Sequence, residues 1–439
     1  VFVAIQGFVS DGHRYIGEAI SRRACAVVVQ KDVLSFVPTL RVPDSRRALA
    51  VLSSTFFGNP TRDLFTVGVT GTNGKTTVCH LVAHLLGEEK SEIISTVNNQ
   101  ERGLQGITTP ESPILQHIAL ETKLAGRKNL IIEASSAGLL LNRLDSVDFD
   151  AAVFTNLTRD HYDLHCDQES YLKAKLILFE NLKKDALAVI NADDPMAWRF
   201  IAAAKSKVVT YSSLRAASYR AEDIKLALNS TQFHVVHGTQ HVKMEIGLPG
   251  YYNVNNALAA IAVAAEAGIS LQDISVKLRS AVSPQGRYQF LRAINGATVV
   301  VDFAHSPDSL ENILLSLRPY YNRVICVFGC AGQSDRGKRP IMGRISSKLA
   351  DITILTTDNP KQEDPEKIIA EIAAGIPVGY RYERITDRKR AITKALELAT
   401  ARDVVLIAGK GHEAYQVIEH ELVPYSDIKY LQESGLVQK

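Results

Sequence analysis

Cysteine is scarce in this chain: five residues among 439 (Cys25, Cys79, Cys166, Cys326 and Cys330), scattered without a framework. Cys326 and Cys330 lie close together, but no second pair completes a zinc site, so all five read as reduced core or near-site thiols of a cytosolic protein. An excess of either charge is also lacking. Fifty basic and 47 acidic residues leave a net charge of +3, too little to indicate nucleic-acid or anionic-membrane binding. No apolar run approaches the ~20 residues that span a bilayer, and nothing at the start reads as a signal peptide. Internal repeats and low-complexity linkers are missing too. Methionine is rare, the first being Met196, and the opening run Val1–Ile5 already has the character of a strand interior. Residues preceding Val1 are therefore expected to belong to the natural chain.

What is present is ordinary for a soluble globular protein, with 46% hydrophobic and 22% charged residues. The length exceeds what one compact core holds, so two to three domains are expected. Short apolar strand candidates alternate with helical patterns: Phe65–Thr70, Asn129–Glu133, Ala152–Asn156, Ala188–Asn191, Thr298–Phe303, Val324–Phe328, Asp351–Thr356 and Asp403–Ala408. That alternation predicts α/β domains with mainly parallel sheets, interrupted around Tyr219–Glu245 by an antiparallel excursion. Breaks at Arg62-Asp63 and at Ser283-Pro284-Gln285-Gly286 divide the chain into residues 1–62, 63–284 and 285–439, the second break following an Ala-rich helix over Val254–Ala267.

The strand Phe65–Thr70 runs into Gly71-Thr72-Asn73-Gly74-Lys75-Thr76-Thr77 and then a helical run, the context a phosphate cradle needs. Glycines let backbone N–H groups curl round phosphates, the helix N-terminus adds positive potential, Lys75 reaches the outer phosphates, and Thr76 offers a hydroxyl to Mg²⁺. The strict Walker pattern is not met, because Val69 stands where its first glycine belongs. A glycine turn that merely caps a helix is the plain alternative, and the Gly-Lys-Thr-Thr run after a strand argues against it.

Glu133 ends a strand candidate and precedes small residues, a suitable place for a magnesium ligand. The next strand leads into Leu157–His165, where Arg159, Asp160 and His161 are the expected participants and His165 is not. Lys175 shares a helical stripe with Tyr171, Leu178 and Leu182, so it sits on an otherwise apolar face. A charged lysine there is costly unless it is paired, chemically altered or snorkels to water. In the C-terminal third, the loops 302–308, 329–340, 356–365 and 409–413 each follow a strand candidate and are expected to converge on one pocket. That pocket mixes cations with Asn359 and Glu413, which suit recognition of an amine. No G-x-G-x-x-G strand–helix unit supports an oxidoreductase.

Together these residues resemble a family. Thr70–Thr77, Thr108-Thr109-Pro110, Glu133–Ser136, Thr155–His161, Asp302–His305, Gly337–Pro340, Asp358–Pro360 and Gly409–Glu413 look like the motifs of the Mur ligases, in order along essentially the whole chain. They are most similar to the MurE branch, which adds the third peptide residue. The resemblance implies a UDP-sugar-binding domain, a central P-loop-type ATP-binding domain with a mostly parallel sheet, and a C-terminal Rossmann-like domain for the amino acid. The first would be N-terminally incomplete here, including part of its uridine site. It also implies a cytoplasmic monomer that uses ATP and Mg²⁺ to join a diamino acid to UDP-MurNAc-L-Ala-D-Glu in peptidoglycan precursor synthesis. A D-glutamyl acyl phosphate would be attacked by the incoming amine.

By position, the resemblance implies a nucleotide set of Gly71–Thr77 with Asn256 and Arg287. It places Thr76, Glu133, His161 and Lys175 at the metal, Lys175 as a carbamate, and Lys75, Lys175, His161 and His305 in catalysis. Thr108, Thr109, Ser136, Arg143 and Arg159 would contact the UDP-muramoyl substrate, while Asp358, Asn359, Lys361, Gly409 and Glu413 would hold the amino acid. Three positions depart from the family: Ala137 replaces a common His, Lys361 replaces the Arg of the diaminopimelate-type Asp-Asn-Pro-Arg, and Ser334 replaces a second Arg. Lysine is a point charge and not a bidentate fork. Both meso-diaminopimelate, the favoured choice, and L-lysine therefore remain in view. Alternative readings are another ligase of the superfamily, such as a folylpolyglutamate synthetase, or a nucleotide-binding regulator without catalysis.

Overall fold

The computed structural model describes residues 1–7 and 10–438. Three sheets follow one another along the chain, with a small hairpin near the end. A three-stranded parallel sheet joins Phe2–Val3, Val27–Val29 and Thr39–Arg41 over a small core of Ala4, Ile16, Val27 and Val29. Helix Ser45–Phe56, capped by the Asp44 carboxylate, leads out of it and packs on helix Ser112–Leu124.

The central sheet has nine strands. Its order is Gln240–Ile246, Thr231–His237, Tyr219–Leu226, Lys207–Ser212, Leu187–Asn191, Ala151–Phe154, Phe65–Thr70, Asn129–Glu133 and Ser91–Ile94. The strands from Tyr219–Leu226 to Ser91–Ile94 are parallel, and the remaining two complete the antiparallel excursion expected from sequence. Alternation decides the layers. Val67, Val69, Ile131 and Val153 face one core, and Leu130, Ile132, Ala152 and Phe154 face the other. Helices cover both faces, which is why the central strands read as continuous apolar runs. On the first face the Ala-rich helix Tyr251–Glu266 packs against Lys75–Leu86. It begins three residues before the expected Val254, because Gly250 at φ +95° turns the chain into it.

The C-terminal sheet runs Gln289–Arg292, Thr298–Asp302, Val404–Ala408, Val324–Phe328, Ile352–Leu355 and Tyr382–Arg384, parallel except for its first strand. Val300, Cys326 and Leu406 point to one core, Val299, Ile325 and Val405 to the other. A buried Arg388–Asp427 pair, with both contacts at 2.8 Å, ties helix Arg388–Leu398 to helix Asp427–Glu433. The hairpin Tyr415–Ile418 and Glu421–Pro424 follows the last parallel strand.

Candidate active site

The central chain reverses direction across the sheet at Phe65–Thr70, whose neighbours are Asn129–Glu133 on one side and Ala151–Phe154 on the other. The crevice at the C-terminal ends of these strands is where open α/β sheets bind ligands. The phosphate loop fills it. Gly71 sits at φ +149°, and a Cβ there would lie 1.8 Å from Thr155 Oγ1. Gly74 at φ +85° would place a Cβ 2.4 Å from Asn256 Oδ1, so the helix Tyr251–Glu266 closes directly on the loop. Glycine is required at both positions by close approach as well as by backbone angle.

Two lysines converge on one carbonyl. Lys75 Nζ donates to Gly71 O at 3.1 Å and Thr72 O at 2.9 Å, and Lys175 Nζ donates to the same Gly71 O at 2.8 Å. Lys175 is 1% exposed and lies over the Tyr171 ring, so it does not snorkel. Burial, with Lys75 adding, holds its ammonium well below the ordinary lysine range. Burial also lowers Lys75, against the attraction of Glu133. Glu133 is 1% exposed. Its Oε2 accepts from Thr96 at 3.3 Å, whereas Oε1 is buried with no hydrogen-bond partner. Thr76, its hydroxyl 3.0 Å from Arg287 Nη2, opens the following helix. An orphaned buried carboxylate oxygen and a hydroxyl in the first turn of the helix that follows the loop are the donor types a hard divalent cation takes.

Beyond Ala151–Phe154, Asp160 is buried at the centre of a charged cluster. Lys338 Nζ lies 3.1 Å away, His305 Nε2 3.4 Å and His161 Nε2 3.7 Å. Burial opposes the Asp160 charge, but Lys338 and the two imidazoles hold it well below the usual carboxylate range. Desolvation pushes His161 down to about 4, against Asp160, which leaves its imidazole neutral at pH 7. Arg159 makes a two-point contact with Asp335, at 2.9 and 3.1 Å. Lys338 and Asp335 thus bring the C-terminal sheet onto the central one. His165, discounted from sequence, is buried and its Nε2 lies 2.9 Å from Ser136 Oγ. Burial and Lys175 bring it down to about 4. A four-residue helical turn, Tyr162–His165, turns it inward, and no sequence periodicity encodes that turn.

On the Glu133 side, the Thr108 hydroxyl meets Thr96 at 3.1 Å, and Thr109 Oγ1 donates to Glu133 O at 2.7 Å. Arg143 donates to Thr109 O at 2.9 Å and pairs with Glu111 at the same distance. On the other side a cavity of about 250 Å³ opens between the loop and the C-terminal sheet, lined by Asn73, Gly74, Asn256, Arg287, Phe303 and His305. Arg287 stacks over Phe303 at 4.5 Å, and His305 Nδ1 lies 2.8 Å from Phe303 O. Asn73 Nδ2 donates to Asp308 at 2.7 Å, clasping the loop to helix Pro307–Leu317.

The four C-terminal loops do meet. Gly409 at φ +108° leaves room for Asp358, whose Oδ2 a Cβ would approach to 2.5 Å. Asn359 Nδ2 donates to Glu413 Oε2 at 2.9 Å. Lys410 Nζ, fully buried, donates to Asn359 Oδ1 at 2.9 Å and Glu413 Oε2 at 2.7 Å. Lys361 at φ +52° is held by its backbone, donating to Val417 O and accepting from Glu419 N. Among the described residues its ammonium has no ion-pair partner. Sequence reasoning passed over Lys410, Asp335 and Lys338 as individual residues. Only their place in the Gly-Lys-Gly-His-Glu and Asp-Arg-Gly-Lys runs signals them.

The chain matches the Mur ligase middle domain over residues 69–264 and the Mur ligase glutamate ligase domain over 286–411. It is 40% identical to the UDP-N-acetylmuramoyl-L-alanyl-D-glutamate–2,6-diaminopimelate ligase of Caldanaerobacter subterraneus subsp. tengcongensis, over 99% of this chain and 91% of that one. A solved structure of a UDP-N-acetylmuramoyl-L-alanyl-D-glutamate–2,6-diaminopimelate ligase is 33% identical, with a TM-score of 0.67 and coverage of 99% and 91%. The MurF ligase of Thermotoga maritima in complex with ADP, 18% identical, shares the fold at a TM-score of 0.68 over 92% and 90% of the two chains.

Proposed function

The chain belongs to the Mur ligase family, and from that premise we propose that it joins meso-diaminopimelate to the D-glutamyl carboxylate of UDP-MurNAc-L-Ala-D-Glu with ATP. The observation that carries the proposal is the convergence of Lys75 and Lys175 on Gly71 O, beside the orphaned Glu133 oxygen and the neutral His161. In this reading residues 1–62 take the UDP-sugar, 63–284 the ATP and 285–439 the amino acid. The loop Gly71–Thr77 cradles the phosphates with Asn256 and Arg287, and His305 lies on the nucleotide side. Thr108, Thr109, Ser136, Arg143 and Arg159 orient the muramoyl peptide. The reaction runs in the cytoplasm on soluble precursors, by a monomer.

Thr76, Glu133, His161 and a carbamylated Lys175 would hold Mg²⁺, which supplies charge neutralisation for the phosphoryl group in transfer. A neutral Lys175 amine adds CO₂ as an N–C bond forms and a proton leaves to water. A lysine whose burial disfavours the cation becomes an anion among cations. The D-glutamyl carboxylate oxygen attacks the γ-phosphorus of ATP and ADP leaves. The diamino acid's neutral amine then attacks the acyl carbon, its nitrogen gives up a proton to water, and phosphate departs with that carboxylate oxygen. Lys75 steadies charge on the phosphates, while Asn359 and Glu413, the latter anchored by Lys410, accept from and orient the amine. Lys361 offers its unpaired ammonium to the distal carboxylate of diaminopimelate.

Similarity over 99% of the chain to a diaminopimelate ligase favours this reading over the folylpolyglutamate-synthetase and regulator alternatives. Phosphate release tests it. ATP, Mg²⁺ and UDP-MurNAc-L-Ala-D-Glu should yield phosphate with diaminopimelate, and weakly or not at all with L-lysine or D-alanyl-D-alanine. Release with neither diamino acid would refute it.

A further inference from the structure

The geometry points to a second metal site, on the outer face of the antiparallel hairpin at the far edge of the nine-stranded sheet, where His234, His241, Asp223 and Glu222 would take a transition-metal ion such as Zn²⁺. The register builds it. Glu222 is paired directly with His234, and His241, paired with Val236, is the diagonal neighbour of His234 on the same face. A bulge after Glu222 sets Asp223 at φ +50° and brings its carboxylate to the same imidazole. Three adjacent strands thus each contribute a donor.

The contacts are those of ligands facing one another. Asp223 Oδ2 lies 3.3 Å from His234 Nδ1, and Glu222 Oε2 lies 3.7 Å from His241 Nε2. The two imidazoles are stacked, with centroids 4.6 Å apart and planes 13° from parallel. One donor atom from each of Asp223, His234 and His241 falls within 4.8 Å of the others. His234 Nδ1 is buried and faces the Asp223 carboxylate without completing a hydrogen bond to it. Lys243 stands opposite His234, and Arg220 pairs with Glu222, so cations flank the acidic side of the cluster.

The donor set selects the ion. Two imidazoles and one or two carboxylates suit Zn²⁺, Ni²⁺, Co²⁺ or Cu²⁺. No thiolate is present for Cu(I), and the oxygens are too few for Ca²⁺ or Mg²⁺. Tetrahedral zinc requires donors roughly 3.3 Å apart at ~2.0 Å bonds. The exposed His241 and Asp223 are free to close that gap by side-chain rotation. The hairpin strand Thr231–His237 stands five strands from Phe65–Thr70, roughly 24 Å at ~4.8 Å per strand. Its inner face, through Phe233 and Val235, packs in the core that includes the helix carrying Asn256. The ion would clamp three strands without entering the phosphate site, and the inference does not draw on the ligase reading.

Equilibrium dialysis of the metal-stripped full chain against Zn²⁺, with excess Mg²⁺ present, tests the proposal. The wild type should bind one zinc more tightly than any other, while His241→Ala and Asp223→Asn each weaken that zinc roughly tenfold or more. Zinc should raise the melting temperature of the wild type and not of His241→Ala. Cu²⁺ in the same site should give an electron paramagnetic resonance spectrum with two coupled nitrogens, reduced in His241→Ala. Both altered side chains are exposed, so folding and nucleotide binding should be unchanged. Zinc binding that is absent from the wild type, or equal in wild type and both variants, would overturn the proposal.

Discussion

Replacing Lys175 by Met separates catalysis from stability. Lys175 is 1% exposed, its ammonium donates to Gly71 O at 2.8 Å, and Lys75 donates to the same oxygen. Deleting one hydrogen bond costs about 0.5–1.5 kcal/mol. Removing a buried cation that neighbours another relieves a desolvation penalty of several kcal/mol. The Met variant should therefore unfold no more easily than wild type when both are free of carbamate. The sign with pH follows from the lowered lysine. Between its folded value and 10.5 the unfolded chain binds more protons than the folded one, so wild-type stability rises with pH in that window. The Met variant should lack that slope. If the carbamate holds charge at the transferring phosphoryl group, its loss should cost what one preorganised electrostatic contact supplies, about 10²–10³-fold in kcat. Phosphate release and urea unfolding read the two effects. Bicarbonate should restore CO₂-depleted wild type and leave the variant unchanged. A Met variant with wild-type kcat would refute the reasoning.

Lys361→Ala should raise KM for diaminopimelate by roughly 10–100-fold, the worth of a charge-assisted hydrogen bond, and leave the weak L-lysine rate unchanged in steady-state kinetics. Gly74→Ala sets a Cβ against Asn256 Oδ1 at φ +85° and should weaken ADP binding at least about tenfold by calorimetry. Glu363, held at about 2 by its hydrogen bonds to Arg339 despite burial, contributes stability that is fully present above 4.5 and lost as pH falls toward 2. Glu363→Gln should lose about 1.5–3 kcal/mol at pH 7 in urea unfolding and depend less on pH across that window.

The layers of the fold were legible because each central strand is a short apolar run bounded by turn residues. Phe65–Thr70, Asn129–Glu133 and Val324–Phe328 are found with the predicted ends. Thr298–Phe303 stops a residue early, where the Asp302 carboxylate accepts from Tyr288 N and Ala304 N and bends the chain into its loop. The phosphate loop was legible because it is local, and Lys175 because one helical stripe exposes its mismatch. Arg159–Asp335 and Lys338–Asp160 were not, since those partners lie 176 and 178 residues apart and meet only when two sheets pack together. The burial of His165 was not legible for a related reason: it depends on one short turn and on Ser136 across the crevice. The His234–His241 pair depends on hairpin register, which the alternating pattern alone does not specify.

An isotope experiment tests the ligase reading most directly. UDP-MurNAc-L-Ala-D-Glu labelled with ¹⁸O in the γ-carboxylate is incubated with the chain, ATP, Mg²⁺ and meso-diaminopimelate, and both products are read by mass spectrometry. The account predicts a nucleotide product heavier by one diaminopimelate residue and one ¹⁸O atom transferred to each phosphate released. Unlabelled phosphate, or label transferred without amide formation, would contradict it.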